Sequence, residues 1–333
     1  MALATGSAPG PGRHPLVRDL AWLLLTPDMI AMPWPGRPTR DELGLGDDDR
    51  LRAWLAALEA APEALEAHLA PTLQGRMGLY HERLWQFLLA QAPGTRLLAH
   101  NVRIAQGKRT LGELDLLYAR RGSCSPVHLE VAIKFYLGLT EGPGPANSQA
   151  RWIGPSGADS LAIKREHLAR HQLRLAATDE ARETLAPLFT ALAVPDATER
   201  VVPQARLAMP GVLFSPWQSP LPAPCEATPT HLRGRWVSAR DWPHLRHGLA
   251  RHTRGAWLQR PHWLALPPRA AHVSLDELDA RLAQHFRDNG AAVQLALWHP
   301  EHGSERIFVV ANDWPRQVPL PPGRGEAVRE KRE

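Results

Sequence analysis

The sequence predicts an α/β protein: a core in the order helix, three-strand meander, helix, strand, preceded by a helical cap and followed by an α+β extension. Three observations lead there. The chain has 333 residues, 44% of them hydrophobic, which is enough to bury a large core. Apolar residues recur at helical spacing over 75–91 and 157–177, and three runs with strand character lie between them. Short turns containing Gly or Pro separate those runs at hairpin spacing.

Taken in order, residues 1–14 (MALATGSAPGPGRH) are rich in Gly, Pro and Ala and are expected to be a disordered leader. Helical patterns near 15–25 and 49–69, interrupted by MPWPGRPTRDELGLGDDD, form an N-terminal helical cap over 15–70. The core spans 75–215. It opens with GRMGLYHERLWQFLLAQAP, a helix that Pro93 and Gly94 terminate. LLAHNVRI, TLGELDLLYA and VHLEVAIKFYL read as strands joined by the turns AQGKR and RRGSCSP. After the polar stretch GLTEGPGPANSQARWIGPSG come the helix over 157–177, a second over 179–190, and the apolar run ARLAMPGVLFSP. Beyond the Pro-rich PWQSPLPAPCEATP, residues 216–320 hold helices near 240–251 and 274–288, an apolar segment at 256–266, and the strand-like runs AVQLALWHP and RIFVVAND. This region is either a small second domain or an extension of the first sheet. Residues 321–333 read as a charged tail.

The net charge of +5 and a pI near 9.7 are compatible with a polyanionic partner, but the excess is mild and specifies no site. Cys124 and Cys225 are too few for a disulfide framework or a cysteine zinc site, which fits a reducing compartment. The apolar run 20–25 is far shorter than a membrane span, so a soluble cytoplasmic protein is expected. Phosphate-binding Gly-rich loops and nucleophile elbows are absent from the sequence. His100, His128 and His171 have no metal-ligand spacing with one another and read as structural.

Chemistry concentrates in two strands. In HLEVAIKFYL, Leu129, Val131, Ile133, Phe135 and Leu137 alternate with His128, Glu130, Ala132, Lys134 and Tyr136. A charge in so apolar a strand costs several kcal/mol, on the order of 3–5, unless it is paired, solvated or bound to metal. In the preceding strand Leu111, Glu113, Asp115 and Leu117 share a face. Asp115 and Glu130 can then point from neighbouring strands, about 4.8 Å apart, toward one spot. Two such carboxylates repel unless a cation lies between them, and hard oxygen donors suit Mg²⁺ or Mn²⁺. Glu82 shares a helical stripe with Trp85 and Leu89 and offers a further oxygen ligand. Only Lys108, Lys134, Lys164 and Lys331 are lysines in a chain otherwise supplied with arginine, which draws attention to Lys134 inside the strand.

The segment GELDLLYARRGSCSPVHLEVAIK resembles the core of the PD-(D/E)XK nuclease superfamily. That family has a restriction-endonuclease-like fold, with Asp after Gly-Glu-hydrophobic in the second strand and Glu-x-Lys in the third. The resemblance covers about 75–215. It implies Asp115 and Glu130 as metal ligands and catalytic acids, Glu82 as accessory ligand, Mg²⁺ or Mn²⁺ as cofactor, and nucleic acid as partner, DNA ahead of RNA. The wider chain, with YHERLWQFLL, GELD, LEVAIKFYL and RWIGP, is similar to an uncharacterised bacterial domain-of-unknown-function family, DUF1853.

One position departs from the pattern. Two residues after Glu130 stands Ala132, and the lysine appears at 134. In a continuous strand this keeps the face but stretches the separation from about 7 Å to about 13 Å. Lys134 is expected to act as the catalytic cation by leaning back toward a scissile phosphate, or Lys164 on the following helix supplies the charge. The leading expectation is a Mg²⁺-dependent phosphodiesterase acting on nucleic acid. The alternative is a catalytically inactive nuclease-fold module that binds nucleic acid or a protein partner, and the third is an unrelated α+β protein with a fortuitous acidic pair. Competing readings of single residues are an exposed, solvated sheet face for Asp115 and Glu130, a cross-strand pair with Glu130 or Glu113 for Lys134, a surface position for Glu82, and a packing turn for Arg151 and Trp152.

Overall fold

A computed structural model describes residues 13–123, 125–192, 201–288 and 290–321. Most of the expected leader and tail, and Cys124, lie outside the described residues. Helix α1 (Pro15–Leu25) starts the chain and uses Pro at its first turn, where a missing N–H costs nothing. Helices α2 (Asp48–Ala60) and α3 (Glu63–Leu69) fill the remainder of the cap; Pro62 divides what the sequence suggested was one segment. The Asp47 carboxylate accepts from the N–H groups of Asp49 and Arg50, a cap worth about 1 kcal/mol.

Helix α4 (Met77–Gln91) follows, then the antiparallel meander β1 (Thr95–Gln106), β2 (Arg109–Arg120) and β3 (Pro126–Val131). Tyr80, Leu84, Trp85 and Leu88 of α4 bury against Leu116 and Tyr118 of β2 and Val127 and Leu129 of β3. The other side of the meander is covered after β4 (Lys134–Gly138), β5 (Trp152–Ile153) and a helical run. That run begins as α5 (Leu161–His167), passes through a π-helical turn over Leu168–Gln172, and ends as the short α6 (Leu173–Leu175). Ser160 caps it through the Ile163 N–H. Helix α7 (Asp179–Ala191) packs Leu185 and Phe189 with Leu114 and Leu117 of β2. Thus β2 is buried on both faces, between helical layers.

The third strand differs from the continuous VHLEVAIKFYL expected from sequence. It breaks at Ala132 and Ile133 into β3 and β4, and its parallel neighbour breaks at the matching place, between β6 (Gln204–Ala208) and β7 (Gly211–Pro216). The cause lies in the neighbour. Pro210 has no N–H to donate, and Gly211 lies so close to β4 that a Cβ there would sit 2.0 Å from the Lys134 carbonyl oxygen. The segment after α1 covers this break: Met29 donates to Met209 O at 2.9 Å and Met209 donates to Asp28 Oδ1 at 2.8 Å.

The paired breaks divide the strands into two sheets. One has order β1-β2-β3-β6. The other collects β4, β5 and β7 with β8 (Leu232–Ser238), β9 (Arg254–Leu258), β10 (Val293–His299) and β11 (Gly303–Val310), in order β5-β4-β7-β8-β11-β10-β9. The C-terminal strands therefore extend the sheet that β4 and β7 begin, and α8 (Trp242–His247) and α9 (Leu275–Asp288) pack on them. Buried Asp19 of α1 ties these parts together, accepting from the Tyr80 hydroxyl at 2.7 Å and the Ala265 N–H at 3.0 Å, and meeting His262 Nδ1 at 2.8 Å. Among the described residues no helix is long and apolar enough to cross a membrane.

Candidate functional site

The pairing of β2 with β3 sets the position of the two acids. Leu116 faces Leu129 and Leu117 faces His128, so one further step places Asp115 opposite Glu130. Their carboxyls interact directly, and Asp115 Oδ2 also accepts from the Val131 N–H at 3.0 Å. Glu130 is 1% exposed, which removes the reading of a solvated sheet face. Its Oε2 has no hydrogen-bond partner among the described residues; the nearest cationic-type atom is Nε2 of buried His128, 3.9 Å away.

Burial holds both acids toward the protonated form, and the hydrogen bond between them lowers Asp115 while raising Glu130. Asp115 is pushed up to about 6, first by desolvation, against the opposing Val131 N–H and with Glu82 adding to the rise. Glu130 is raised well above the ordinary glutamate range, by desolvation and then by the Asp115 charge. A half-buried and a buried carboxyl side by side, the buried one with an unsatisfied oxygen, are compatible with one or two oxygen ligands to a small hard cation.

Glu82 lies within electrostatic reach of both acids, but its own bonds turn elsewhere. Its Oε1 accepts from Asn101 Nδ2 at 2.6 Å and Gln86 Nε2 at 3.0 Å. Asn101 falls between the paired residues His100–Leu116 and Val102–Leu114, alongside Asp115 in β2. Its φ of 50° is left-handed, rare in a strand for a side-chain-bearing residue, and Asn tolerates it better than most. Nothing in the local sequence pattern signals this role for Asn101.

Lys134 does not reach the acid pair. Past the break its Nζ bonds Asp159 Oδ2 at 2.6 Å, and the buried Tyr136 hydroxyl donates to the same oxygen at 3.2 Å. Neither Glu130 nor Glu113 is its partner, and Asp159 lies in a Gly/Ser loop that carries no recognisable signal. Lys164 on α5 is the cation at the acids: its Nζ is 3.9 Å from Glu130 Oε1 and donates to Gln172 Oε1 at 2.9 Å. Burial lowers the Lys164 ammonium from its ordinary value, the Glu130 charge opposes this, and Lys134 reinforces it. Of the two lysines considered for the cation, Lys134 is thus engaged by Asp159 and Lys164 is the one beside Glu130.

Elsewhere, Arg151 donates to Thr140 O and Gly144 O, and Trp152 is 2% exposed, so the RWIGP turn is a packing anchor. Within the described residues one group of three metal-type ligands has its atoms all within 4.8 Å: His299, Glu301 and His302. There His299 Nδ1 accepts from the N–H groups of Glu301 and His302, which leaves Nε2–H to donate to Arg251 O at 2.8 Å. Both ring nitrogens are thus engaged, one capping the turn and the other tying it to Arg251.

A family profile described as a domain of unknown function, DUF1853, matches residues 18–310. The chain belongs to the DUF1853 family. The match takes in both sheets, the acid pair, Lys164 and the C-terminal strands, so the family unit includes the extension as well as the meander. Neither the curated proteins nor the solved structures include a significant match.

Proposed function

We propose that this DUF1853 chain is a Mg²⁺- or Mn²⁺-dependent phosphodiesterase of restriction-endonuclease-like type that cleaves nucleic acid, DNA ahead of RNA, in the cytoplasm. The observation that carries it is the buried Asp115–Glu130 pair with an unpartnered Glu130 oxygen and Lys164 beside it. The order α4, meander, helical run, β6 supports the same reading, because it follows the arrangement in the family that the GELD and LEVAIK segments resemble.

Asp115 and Glu130 are the residues that would hold the metal, both through oxygens of the hard type it takes. Bound there, it would lower the pKa of a coordinated water and polarise the phosphoryl oxygen. Glu82, held by Asn101 and Gln86, would contribute from farther out, through water or after a rotamer change. Lys164, oriented by Gln172, would present its ammonium to the charge that develops on the phosphoryl group. Lys134 and Asp159 neutralise one another and would leave the local field little changed.

The test is divalent-dependent cleavage of labelled single- and double-stranded DNA and RNA by wild type, Asp115→Ala and Glu130→Ala. Cleavage that needs Mg²⁺ or Mn²⁺ and is lost in both variants supports the enzyme. Salt-sensitive binding without cleavage transfers support to the non-catalytic module. Neither binding nor cleavage overturns both.

A further inference from the structure

A second site lies in the C-terminal half, on elements that contribute nothing to the acid pair. Between α8, α9 and the end of β11 a cavity encloses about 680 Å³, within the range of small-molecule sites. Its inner wall is apolar and aromatic, with Trp242, Leu282 and the half-buried Phe286. Its lining also carries the guanidinium groups of Arg240 and Arg251.

The sign of the charge follows from pairing. The two carboxylates at the cavity are occupied: Arg246 bridges Asp276 and Asp279, and the other Asp279 oxygen accepts from Trp242 Nε1 at 2.7 Å. Arg240 and Arg251, both exposed, form no ion pair among the described residues. The uncompensated charge at the mouth is therefore positive. His252, beside Arg251 in the chain, has φ of 69°, a left-handed backbone that a histidine adopts only at a cost. That strain is stored in the loop that shapes the rim.

We propose that this cavity binds a nucleoside 5′-phosphate, its flat ring against Phe286 and Trp242 and its phosphate on Arg240 and Arg251. Guanidinium groups match phosphate oxygens in geometry as well as in sign, and aromatic faces accept a base without regard to its sequence identity. The proposal stands independently of the acid pair, because no cavity residue belongs to β2, β3 or α5.

Isothermal titration of the full chain in EDTA with AMP, GMP, CMP, UMP and inorganic phosphate tests it. Saturable binding of at least one nucleotide is expected, at least tenfold tighter than inorganic phosphate. The Arg240→Ala/Arg251→Ala double variant, and separately Ala283→Trp, which fills the mouth from α9, should each weaken it tenfold or more. Asp115→Asn should leave it unchanged. Circular dichroism and the unfolding midpoint establish that each variant is folded. No saturable nucleotide binding, phosphate as good as nucleotide, binding undiminished in the folded double variant, or binding lost in Asp115→Asn would each overturn the proposal. The last outcome would place the ligand at the acid pair.

Discussion

In the metal-free protein, the acid pair should make stability fall as pH rises, and Asp115→Asn should reverse the loss. The Asp115 carboxyl moves from 3.8 to about 6 on folding, which at about 1.4 kcal/mol per unit is roughly 3 kcal/mol. The sign follows from the proton count: a group whose folded pKa is raised binds more protons folded than unfolded between the two values. Below about pH 4 both states are protonated and nothing is lost; above about pH 6 the folded state must ionise and the full penalty is present. Glu130 shifts in the same direction and adds to the trend. Urea unfolding in EDTA, at several pH values between about 4 and 7.5, should show Asp115→Asn gaining on wild type as pH rises, reaching about 2–3 kcal/mol at the upper end. Taking the difference between the two proteins cancels carboxylates they share, such as Glu42, held down to about 2 by burial-opposing bonds from Arg206. Saturating Mn²⁺ should restore about 2.7 kcal/mol to wild type at 100 times its dissociation constant and nothing to the variant. The reasoning fails if Asp115→Asn is equal to or less stable than wild type at pH 7.5 in EDTA.

Other outcomes follow from named contacts. Lys164→Met should lower metal-dependent cleavage by about 10²–10³-fold, whereas Lys134→Met should lower it less than about tenfold and mainly cost stability by leaving Asp159 unpaired; steady-state cleavage and unfolding curves on both variants separate the two. Asn101→Ala, which leaves Glu82 oriented by Gln86 alone, should weaken Mn²⁺ binding by about 10–100-fold when measured by calorimetry without substrate. Asp19→Ala leaves the Tyr80 hydroxyl and the Ala265 N–H without their acceptor and should destabilise the fold by about 3 kcal/mol in denaturant titration.

How much of this the sequence revealed depended on whether the signal was local. That Asp115 and Glu130 lie opposite one another was legible because alternation fixes a strand's faces and a short hairpin turn fixes its register, both properties of adjacent residues. The element order was legible for the same reason. The break in the third strand was not, because VAIKFYL contains neither Gly nor Pro; the Pro210 and Gly211 that impose it belong to a strand about eighty positions later. That break also sent Lys134 to Asp159, so the misplacement of the cation follows from the same nonlocal cause. Lys164 was visible as a lysine on the next helix, yet its approach to Glu130 depends on how that helix lies across the sheet. Asn101 depends on a single backbone angle, and periodicity carries no trace of it.

The twin interruptions at Ala132–Ile133 and Met209–Pro210 have a mechanical corollary. At those adjacent places β3 runs on toward β4 and β6 toward β7, so the two layers meet edge to edge with the acids on one side of the interruption and Lys134 with Asp159 on the other. Because one buried cluster runs from Leu116 and Val127 in the first layer to Val212 and Phe308 in the second, the layers share an interior, and the two should melt as one unit.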